Sequence, residues 1–289
     1  MKFMLLNSLP PYNLFGLEDQ SYEKSKVVVL PVPYDSTTTY KSGTREGPRA
    51  IIEASRSIEL YLYETKSNPS ELGIFTTEEL EPDFSSPEKT IERVKKEVYS
   101  IMSSKKFPVV LGGEHTISIG SVKAAKEIEE MSVIYFDAHS DCRNELFGSR
   151  YMHGTVARRI RELGVECIEV GVRSFDDGSN EFADEIISID ELKSDFDGCI
   201  SKALRNTKSS IYISFDFDVF DTSIMPCVGT PEPHGLLYKE ALEIMKKIEE
   251  EKKVIGMDFV EYLPIPGFHA PAVTAAKFIY TCIGLFVRA

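Results

Sequence analysis

Three of the five histidines in this chain lie in short polar segments. The segments read Gly-Gly-Glu-His at 112–115, Asp-Ala-His-Ser-Asp at 137–141 and Tyr-Met-His-Gly at 151–154, and a fourth segment at 214–221 adds three aspartates to an apolar run. Carboxylate oxygens with a minority of imidazole nitrogens suit hard or borderline divalent ions such as manganese better than they suit a zinc site built from thiolates. The pattern therefore predicts a metal centre.

Asp137, His139 and Asp141 follow one another at intervals of two residues. On an extended strand the outer two would lie about 13 Å apart at ~3.3 Å per residue, whereas paired metal ions lie only ~3.5–4 Å apart. The chain must therefore curl after Asp137 if all three residues bind ions. A helix-capping turn without a metal is the alternative, because Asp and Ser favour such positions.

Asp216 and Asp218 are two residues apart, so they point to the same face at the end of a strand. Their apolar neighbours, Phe215, Phe217 and Val219, place them beside a core, where unpaired charge is costly. A cation would make these clustered carboxylates tolerable. A solvated edge strand is the alternative, and the bulky flanking residues argue against it.

Short apolar runs alternate along the chain with longer amphipathic stretches. The runs that predict strands lie at 27–30, 109–111, 133–136, 167–170, 211–215 and 254–257. The stretches that predict helices lie at about 47–64, 86–103, 117–130, 154–163, 190–204, 237–252 and 273–286. This alternation predicts a parallel sheet with helices on both faces.

The candidate ligands all follow predicted strands. His115 follows the run at 109–111, Asp137 follows 133–136, Asp216 ends 211–215 and Glu261 follows 254–257. Ligands of open α/β sheets gather beyond the carboxyl ends of the strands. Four strands are therefore expected to bring polar groups to one rim of the sheet.

Composition favours a single domain covering residues 1–289, because 42% hydrophobic content is ample for a core and no linker or repeat divides the chain. The amino terminus does not resemble a signal peptide, and no apolar run of about 18 residues occurs, so we expect a soluble, cytoplasmic protein. Five cysteines without a CxxC pair predict reduced thiols and no thiolate zinc site.

The net charge of −13 disfavours nucleic acid or an anionic membrane as a partner, because binding to phosphates needs clustered Lys and Arg. A small cationic substrate fits this charge better. Acidic proteins are common, so the charge alone decides little.

The four segments occur in this order in the ureohydrolase family, which includes arginase and agmatinase, and the chain resembles that family over nearly its whole length. The segments at 42–50, 148–155, 171–174 and 229–233 look specifically like agmatinases. The resemblance implies a three-layer α/β/α domain of the arginase type, with a mainly parallel sheet of about eight strands. It also implies a homo-oligomer, a trimer or a hexamer.

The resemblance further implies two Mn²⁺ ions and assigns six ligands by position: His115, Asp137, His139, Asp141, Asp216 and Asp218. Asp137 and Asp216 would bridge the ions. His115 and Asp141 would complete the coordination of one ion. His139 and Asp218 would complete the coordination of the other. Such a pair lowers the pKa of bridging water, and the resulting hydroxide would attack the guanidinium carbon to give urea and an amine.

Three catalytic roles are implied in the same way. Glu261 resembles the family's guanidinium clamp, since a carboxylate can accept two parallel N–H bonds. Asp141 would take a proton from the nucleophile and pass it to the departing amine, and His153 would carry protons to solvent. An exposed acid at a strand end is the alternative for Glu261, and a structural role is the alternative for His153.

The chain departs from the family pattern at four positions: Thr222 replaces a usual proline, Cys227 and His234 replace typical glycines, and Phe268 replaces a common aspartate. These changes put the substrate pocket in doubt more than the metal centre. We interpret His234 as a loop residue and not as a ligand.

Three alternative functions were weighed. A two-metal phosphoesterase would need an Asn-His pair and a later His-x-His segment, and the chain has neither. A catalytically inactive binding protein is disfavoured because all six ligands and the clamp acid are present. Among ureohydrolases, agmatine fits best, because the loop at 142–150 is closer to agmatinases, and Glu145 could face the amino end of that substrate. Aminopropylagmatine, arginine and simpler guanidino acids stay open as substrates, as does the choice between polyamine synthesis and arginine breakdown.

Overall fold

The computed structural model describes residues 9–177 and 185–288. In this part of the chain eight strands form one sheet: β1 Val27–Val32, β2 Ile74–Thr76, β3 Phe107–Gly112, β4 Ser132–Phe136, β5 Cys167–Val172, β6 Glu185–Ser188, β7 Ser210–Asp216 and β8 Lys253–Val260. Their order is β2-β1-β3-β8-β7-β4-β5-β6, and every neighbouring pair is parallel.

Eight α-helices are described: α1 Gly47–Ser55, α2 Pro87–Ser103, α3 Ser118–Ile128, α4 Val156–Glu162, α5 Ile189–Ser194, α6 Phe196–Arg205, α7 Tyr238–Glu251 and α8 Ala270–Phe286. One hydrophobic cluster joins the sheet to α2, α3 and α4, and a second joins it to the other five helices. The predicted three-layer α/β/α fold is therefore confirmed. Across residues 9–177 and 185–288, none of the helices has the length and apolar character needed to cross a bilayer.

The central strands are buried along almost their whole length, which explains their continuous apolar runs. All residues of β1, β4, β5 and β7 are buried. Helices on both faces remove the alternation of polar and apolar residues that a half-exposed sheet would show. The six strands predicted from these runs are all present.

The sequence patterns missed two strands and misjudged two helices. The edge strands β2 and β6 contain only three and four residues, too few for a periodic signal. The helix predicted at 47–64 ends at Ser55, after which the chain turns into a short antiparallel bridge between Leu62 and Ser67. The helix predicted at 190–204 is two helices that divide at Asp195, whose side chain accepts a hydrogen bond from Gly198 N and so caps α6.

Gly113 allows a close approach of two backbones just after β3. A Cβ atom at this position would lie 2.0 Å from the carbonyl oxygen of Tyr34. Gly113 N donates to Val32 O, and Gly113 O accepts from Glu261 N, so the turn ties β1 to the residue that follows β8. The close packing explains why glycine is needed here.

Gly113→Ala is therefore expected to lower the free energy of unfolding by about 1–3 kcal/mol, because backbone must move to make room for the methyl group. Urea unfolding of the metal-free protein, followed by circular dichroism, measures this. An unchanged free energy of unfolding would show that the two backbones are not in contact.

Candidate metal centre and active site

The carboxyl ends of four neighbouring strands meet at one rim of the sheet, as the sequence predicted. β3, β8, β7 and β4 are adjacent in that order. His115 follows β3, Glu261 follows β8, Asp216 ends β7 and Asp137 follows β4. All four line a cavity of about 310 Å³ together with His139, Asp141, Asp218 and His153. The structure thus brings together all eight residues predicted to bind metal or take part in catalysis.

The chain curls after Asp137, as simultaneous metal binding requires. Asp137 Oδ1 accepts a hydrogen bond from His139 N at 2.5 Å, which turns the backbone back on itself. Asp141 has a φ of +47°, in the left-handed region that a residue with a side chain rarely adopts. Strained backbone of this kind persists where the surrounding structure imposes it, and it is concentrated at functional sites.

One group of donor atoms surrounds His115. Its Nδ1 lies 3.0 Å from Asp137 Oδ2, 3.1 Å from Asp216 Oδ2 and 3.9 Å from Asp141 Oδ2. Within the described residues, Asp137 Oδ2 is buried and makes no hydrogen bond. Single donor atoms of His115, Asp137 and Asp141 all lie within 4.8 Å of one another, close enough to hold one ion.

A second group of donor atoms surrounds His139. Its Nδ1 lies 2.8 Å from Asp218 Oδ2 and 3.4 Å from Asp137 Oδ1. Single donor atoms of Asp137, His139 and Asp218 again lie within 4.8 Å of one another. The two groups therefore share Asp137, with one carboxylate oxygen close to each histidine.

The electrostatics of this cluster favour a cation. Burial and the charge of Asp137 raise the pKa of Asp141 to about 7. Burial and the charge of Asp218 raise the pKa of Asp216 well above its usual range. Burial lowers the pKa of His115, but Asp137 beside it raises it to about 9. Four buried carboxylates cannot all ionise without compensating positive charge.

The donor set fits a pair of hard or borderline divalent ions. It consists of carboxylate oxygens and imidazole nitrogens, with no cysteine among the residues that line the cavity. Such sets suit manganese, whereas thiolates select zinc or copper. Five of the six predicted ligands belong to these two groups, and the sixth, Asp216, places Oδ2 3.1 Å from His115 Nδ1. Among the described residues only Asp137 belongs to both groups of donor atoms.

Glu261 lies beside this cluster with one oxygen uncommitted. Its side chain is 2% exposed, so the alternative of an exposed acid is wrong. Oε1 accepts a hydrogen bond from His115 N at 2.7 Å, while Oε2 is buried and has no hydrogen-bond partner among the described residues. Its φ of +63° is a second left-handed conformation at the rim. The free oxygen is available for a donor in the cavity.

His153 closes one side of the cavity. Its Nδ1 lies 3.5 Å from Glu261 Oε1, and its Nε2 accepts a hydrogen bond from Thr39 N at 3.1 Å. Because a backbone N–H can only donate, a neutral ring would hold its proton on Nδ1. Burial lowers the pKa of His153, but Glu261 beside it raises it to about 9. The proton on Nδ1 therefore faces Glu261.

None of the four departures from the family pattern lies among the residues that line the cavity. His234 is an exposed loop residue, as predicted, with Nε2 3.2 Å from Asp190 Oδ1 and a φ of +66°. This left-handed conformation explains why glycine suits that position. Glu145 is exposed and does not line the cavity either, whereas Arg143 does.

Several residues support the site in ways that the sequence did not assign to them. Tyr135 looks like an ordinary core residue of β4, yet its hydroxyl donates to Asp141 Oδ2 at 2.7 Å. Glu114 is fully buried and accepts from Thr37 N at 2.6 Å, which anchors the segment that carries Thr39. Arg173 donates to the carbonyl oxygens of Asp218 and Glu232 and so fixes the loop beyond β7. The contacts of Glu114 and Arg173 join residues that are distant in the sequence.

Several known proteins are similar to this chain in sequence and in fold. A profile of the arginase family matches residues 25–284. The chain is 37% identical over 276 residues to the N(1)-aminopropylagmatine ureohydrolase of Thermus thermophilus, covering 94% of each chain. It is 35% identical over 265 residues to the agmatinase of Pyrococcus horikoshii, covering 90% of this chain and 92% of that one. The crystal structure of agmatine ureohydrolase of Thermoplasma volcanium superposes with a TM-score of 0.86 at 29% identity, covering 97% of this chain and 95% of that one.

The parallel sheet and the histidine–aspartate rim define an α/β/α protein with a candidate metal centre. The chain belongs to the arginase family. It is a ureohydrolase, an enzyme that acts on guanidino C–N bonds.

Proposed function

We propose that this ureohydrolase uses two Mn²⁺ ions to cleave agmatine into putrescine and urea. The observation that carries the proposal is the pair of histidine–aspartate groups that share Asp137, with the uncommitted oxygen of Glu261 beside them. The agmatinase named above and the similar solved structure support agmatine as the substrate.

The first ion would be held by His115, Asp137 and Asp141, with Asp216 close by. The second would be held by Asp137, His139 and Asp218. When bound, such a pair acts as a Lewis acid and makes hydroxide available near neutral pH.

Glu261 would orient the substrate. Its Oε2 has no partner in the described part of the chain and can accept an N–H from the guanidinium, and Oε1 keeps a lone pair after accepting from His115 N. Two parallel bonds would fix the guanidinium plane toward the ions. Burial of the carboxylate strengthens this interaction, because little water competes for it.

Asp141 and His153 would move protons. Asp141 lines the cavity beside the ions, where it would take a proton from water and deliver it to the departing amine. His153 lies between Glu261 and Thr39 at the cavity wall, with 12% of its side chain exposed. That position connects the buried rim with solvent.

His153→Asn is expected to lower kcat by about 10²–10⁴-fold, the usual contribution of a general acid or base. KM should change little and both ions should stay bound, because His153 belongs to neither group of donor atoms. Steady-state kinetics and metal analysis of the same preparation measure these effects. An unchanged kcat would leave His153 with a structural role only.

The outer cavity wall offers contacts for the tail of the substrate. Phe147 and Phe175 line the cavity and are 82% and 56% exposed, so their rings are available to methylene chains or to an ammonium group. N(1)-aminopropylagmatine is the second candidate substrate, because the Thermus relative is named for it. Arg143 also lines the cavity and would suit a carboxylate tail.

Urea release in the presence of Mn²⁺ from agmatine, N(1)-aminopropylagmatine, arginine and guanidinobutyrate tests the proposal. We expect the highest kcat/KM with agmatine. Preference for the aminopropyl compound would move the assignment to the second candidate. Protein that binds two ions but releases urea from none of the four compounds would refute the proposed function.

Four further properties stay predictions. They are a single domain over residues 1–289, assembly as a trimer or hexamer, a cytoplasmic location and a place in polyamine synthesis. Sedimentation of the purified protein would test the assembly.

A further inference from the structure

A row of polar side chains crosses the centre of the sheet beneath the metal-binding rim. Tyr135 on β4 pairs in register with Ser214 on β7, which pairs with Asp258 on β8. Register partners in adjacent strands point to the same face, so the three side chains form a continuous row. All three are completely buried. Buried polar groups at the centre of a sheet are costly unless they are paired.

The row connects a buried carboxylate to His115. Ser214 Oγ donates to Asp258 Oδ1 at 2.7 Å and lies 2.9 Å from His115 Nε2. A serine hydroxyl has a single proton, and here that proton points to Asp258. The hydroxyl oxygen must therefore accept its second hydrogen bond from His115 Nε2–H.

This hydrogen-bond direction fixes which nitrogen of His115 is free. In the neutral ring that would bind a metal, the proton on Nε2 leaves the lone pair of Nδ1 facing Asp137 and Asp216, 3.0 and 3.1 Å away, with the Tyr135 hydroxyl 2.9 Å from the same nitrogen. Tyr135 stacks on the imidazole with ring centroids 4.4 Å apart and an interplanar angle of 3°, which holds the plane of the ring. Both the tautomer and the orientation suit metal binding through Nδ1.

We propose that Ser214 and Asp258 are positioning residues that hold His115 in its metal-binding tautomer and so set the affinity of one of the two ions. The proposal rests on the proposed function, because it takes the two-ion centre as given. It adds the reason for a fully buried aspartate on β8 that does not line the cavity.

Asp258→Asn provides the main test, because it keeps the size of the side chain. Its amide can donate to Ser214 Oγ, which turns the serine proton toward His115 Nε2 and favours the tautomer with a proton on Nδ1. That tautomer cannot bind a metal through Nδ1. We expect Mn²⁺ affinity at one of the two sites to fall by about 10–100-fold, the usual effect of losing an outer partner of a histidine ligand.

Ser118→Ala is the matched control. Ser118 Oγ donates to the same atom, Asp258 Oδ1, at 2.9 Å, but among the described residues its side chain makes no hydrogen bond with the imidazole of His115. Loss of this bond should lower stability without changing metal affinity. Ser214→Ala, which removes the link itself, should weaken one ion as Asp258→Asn does, and Ser214→Thr should restore wild-type affinity.

Calorimetric titration of the metal-free proteins with Mn²⁺ measures both affinities, and electron paramagnetic resonance distinguishes a coupled ion pair from a single ion. The proposal is overturned if Asp258→Asn and Ser214→Ala bind both ions as the wild type does, or if Ser118→Ala loses as much affinity as they do. If Asp258→Asn does not fold, the Mn²⁺ affinities of Ser214→Ala and Ser118→Ala are compared instead, and equal affinities would overturn the proposal. Wild-type protein that binds fewer than two ions would refute the proposed function as well, so the two failures are distinguishable.

Discussion

Asp137→Ala is expected to abolish urea release and to lower the bound manganese below two ions per chain. Asp137 is the residue shared by both groups of donor atoms, with Oδ2 3.0 Å from His115 Nδ1 and Oδ1 3.4 Å from His139 Nδ1. Loss of an outer partner costs about 10–100-fold in metal affinity, and loss of a shared ligand should exceed that range. Asp216→Ala should have the same effect if Asp216 also bridges the ions.

The metal-free stability of these variants separates a ligand role from a structural one. In the absence of ions, burial and the charge of Asp218 disfavour ionised Asp216, so removal of Asp216 should not lower the melting temperature of the metal-free protein. His115 and His139 instead hold the pKa of Asp137 below its usual range despite its burial, so removal of Asp137 should lower that temperature. Asp190→Ala, at an exposed position next to His234, is the control and should keep full activity. Stoichiometric manganese in both Asp137→Ala and Asp216→Ala would contradict the assignment.

Glu261→Gln is expected to reduce kcat/KM by the equivalent of about 2–5 kcal/mol, as truncation of one partner in a buried charged pair does. The amide keeps one oxygen that can accept from His115 N, so the turn and the metal centre should survive. What is lost is the negative charge that would face the guanidinium. Metal content should therefore stay at the wild-type value.

Steady-state kinetics and metal analysis of the same sample measure the effect of Glu261→Gln. Glu145→Gln is the matched control, because Glu145 is an exposed acid that does not line the cavity. Full activity in Glu261→Gln would refute the clamp role, and loss of an ion would show that Glu261 supports the metal centre instead.

The placement of the candidate site residues at the ends of strands could be predicted from the sequence. The apolar runs locate the strands, and parallel strands end at one rim, so His115, Asp137, Asp216 and Glu261 had to converge once the sheet was parallel. The resemblance to a family supplied the roles. Short edge strands such as β2 were not predicted, because three residues are too few to show a periodic pattern.

The buried row of polar side chains beneath the rim could not be predicted, because it depends on the register of the strands. Tyr135, Ser214 and Asp258 each lie in a run that looks like core, and nothing local indicates that the three are neighbours across β4, β7 and β8. The left-handed backbone of Asp141 and Glu261 was equally hidden, because neither position is a glycine. The sequence also does not show which side chains of the loop at 142–150 point toward the cavity, and the structure places Arg143 and not Glu145 in its lining.

Crystals grown with Mn²⁺ and measured for anomalous scattering test the central claim most directly. The account predicts two anomalous peaks ~3.5–4 Å apart at the rim, with Asp137 in contact with both and His115 and His139 each in contact with one. A single peak, or two peaks that do not share Asp137, would contradict it.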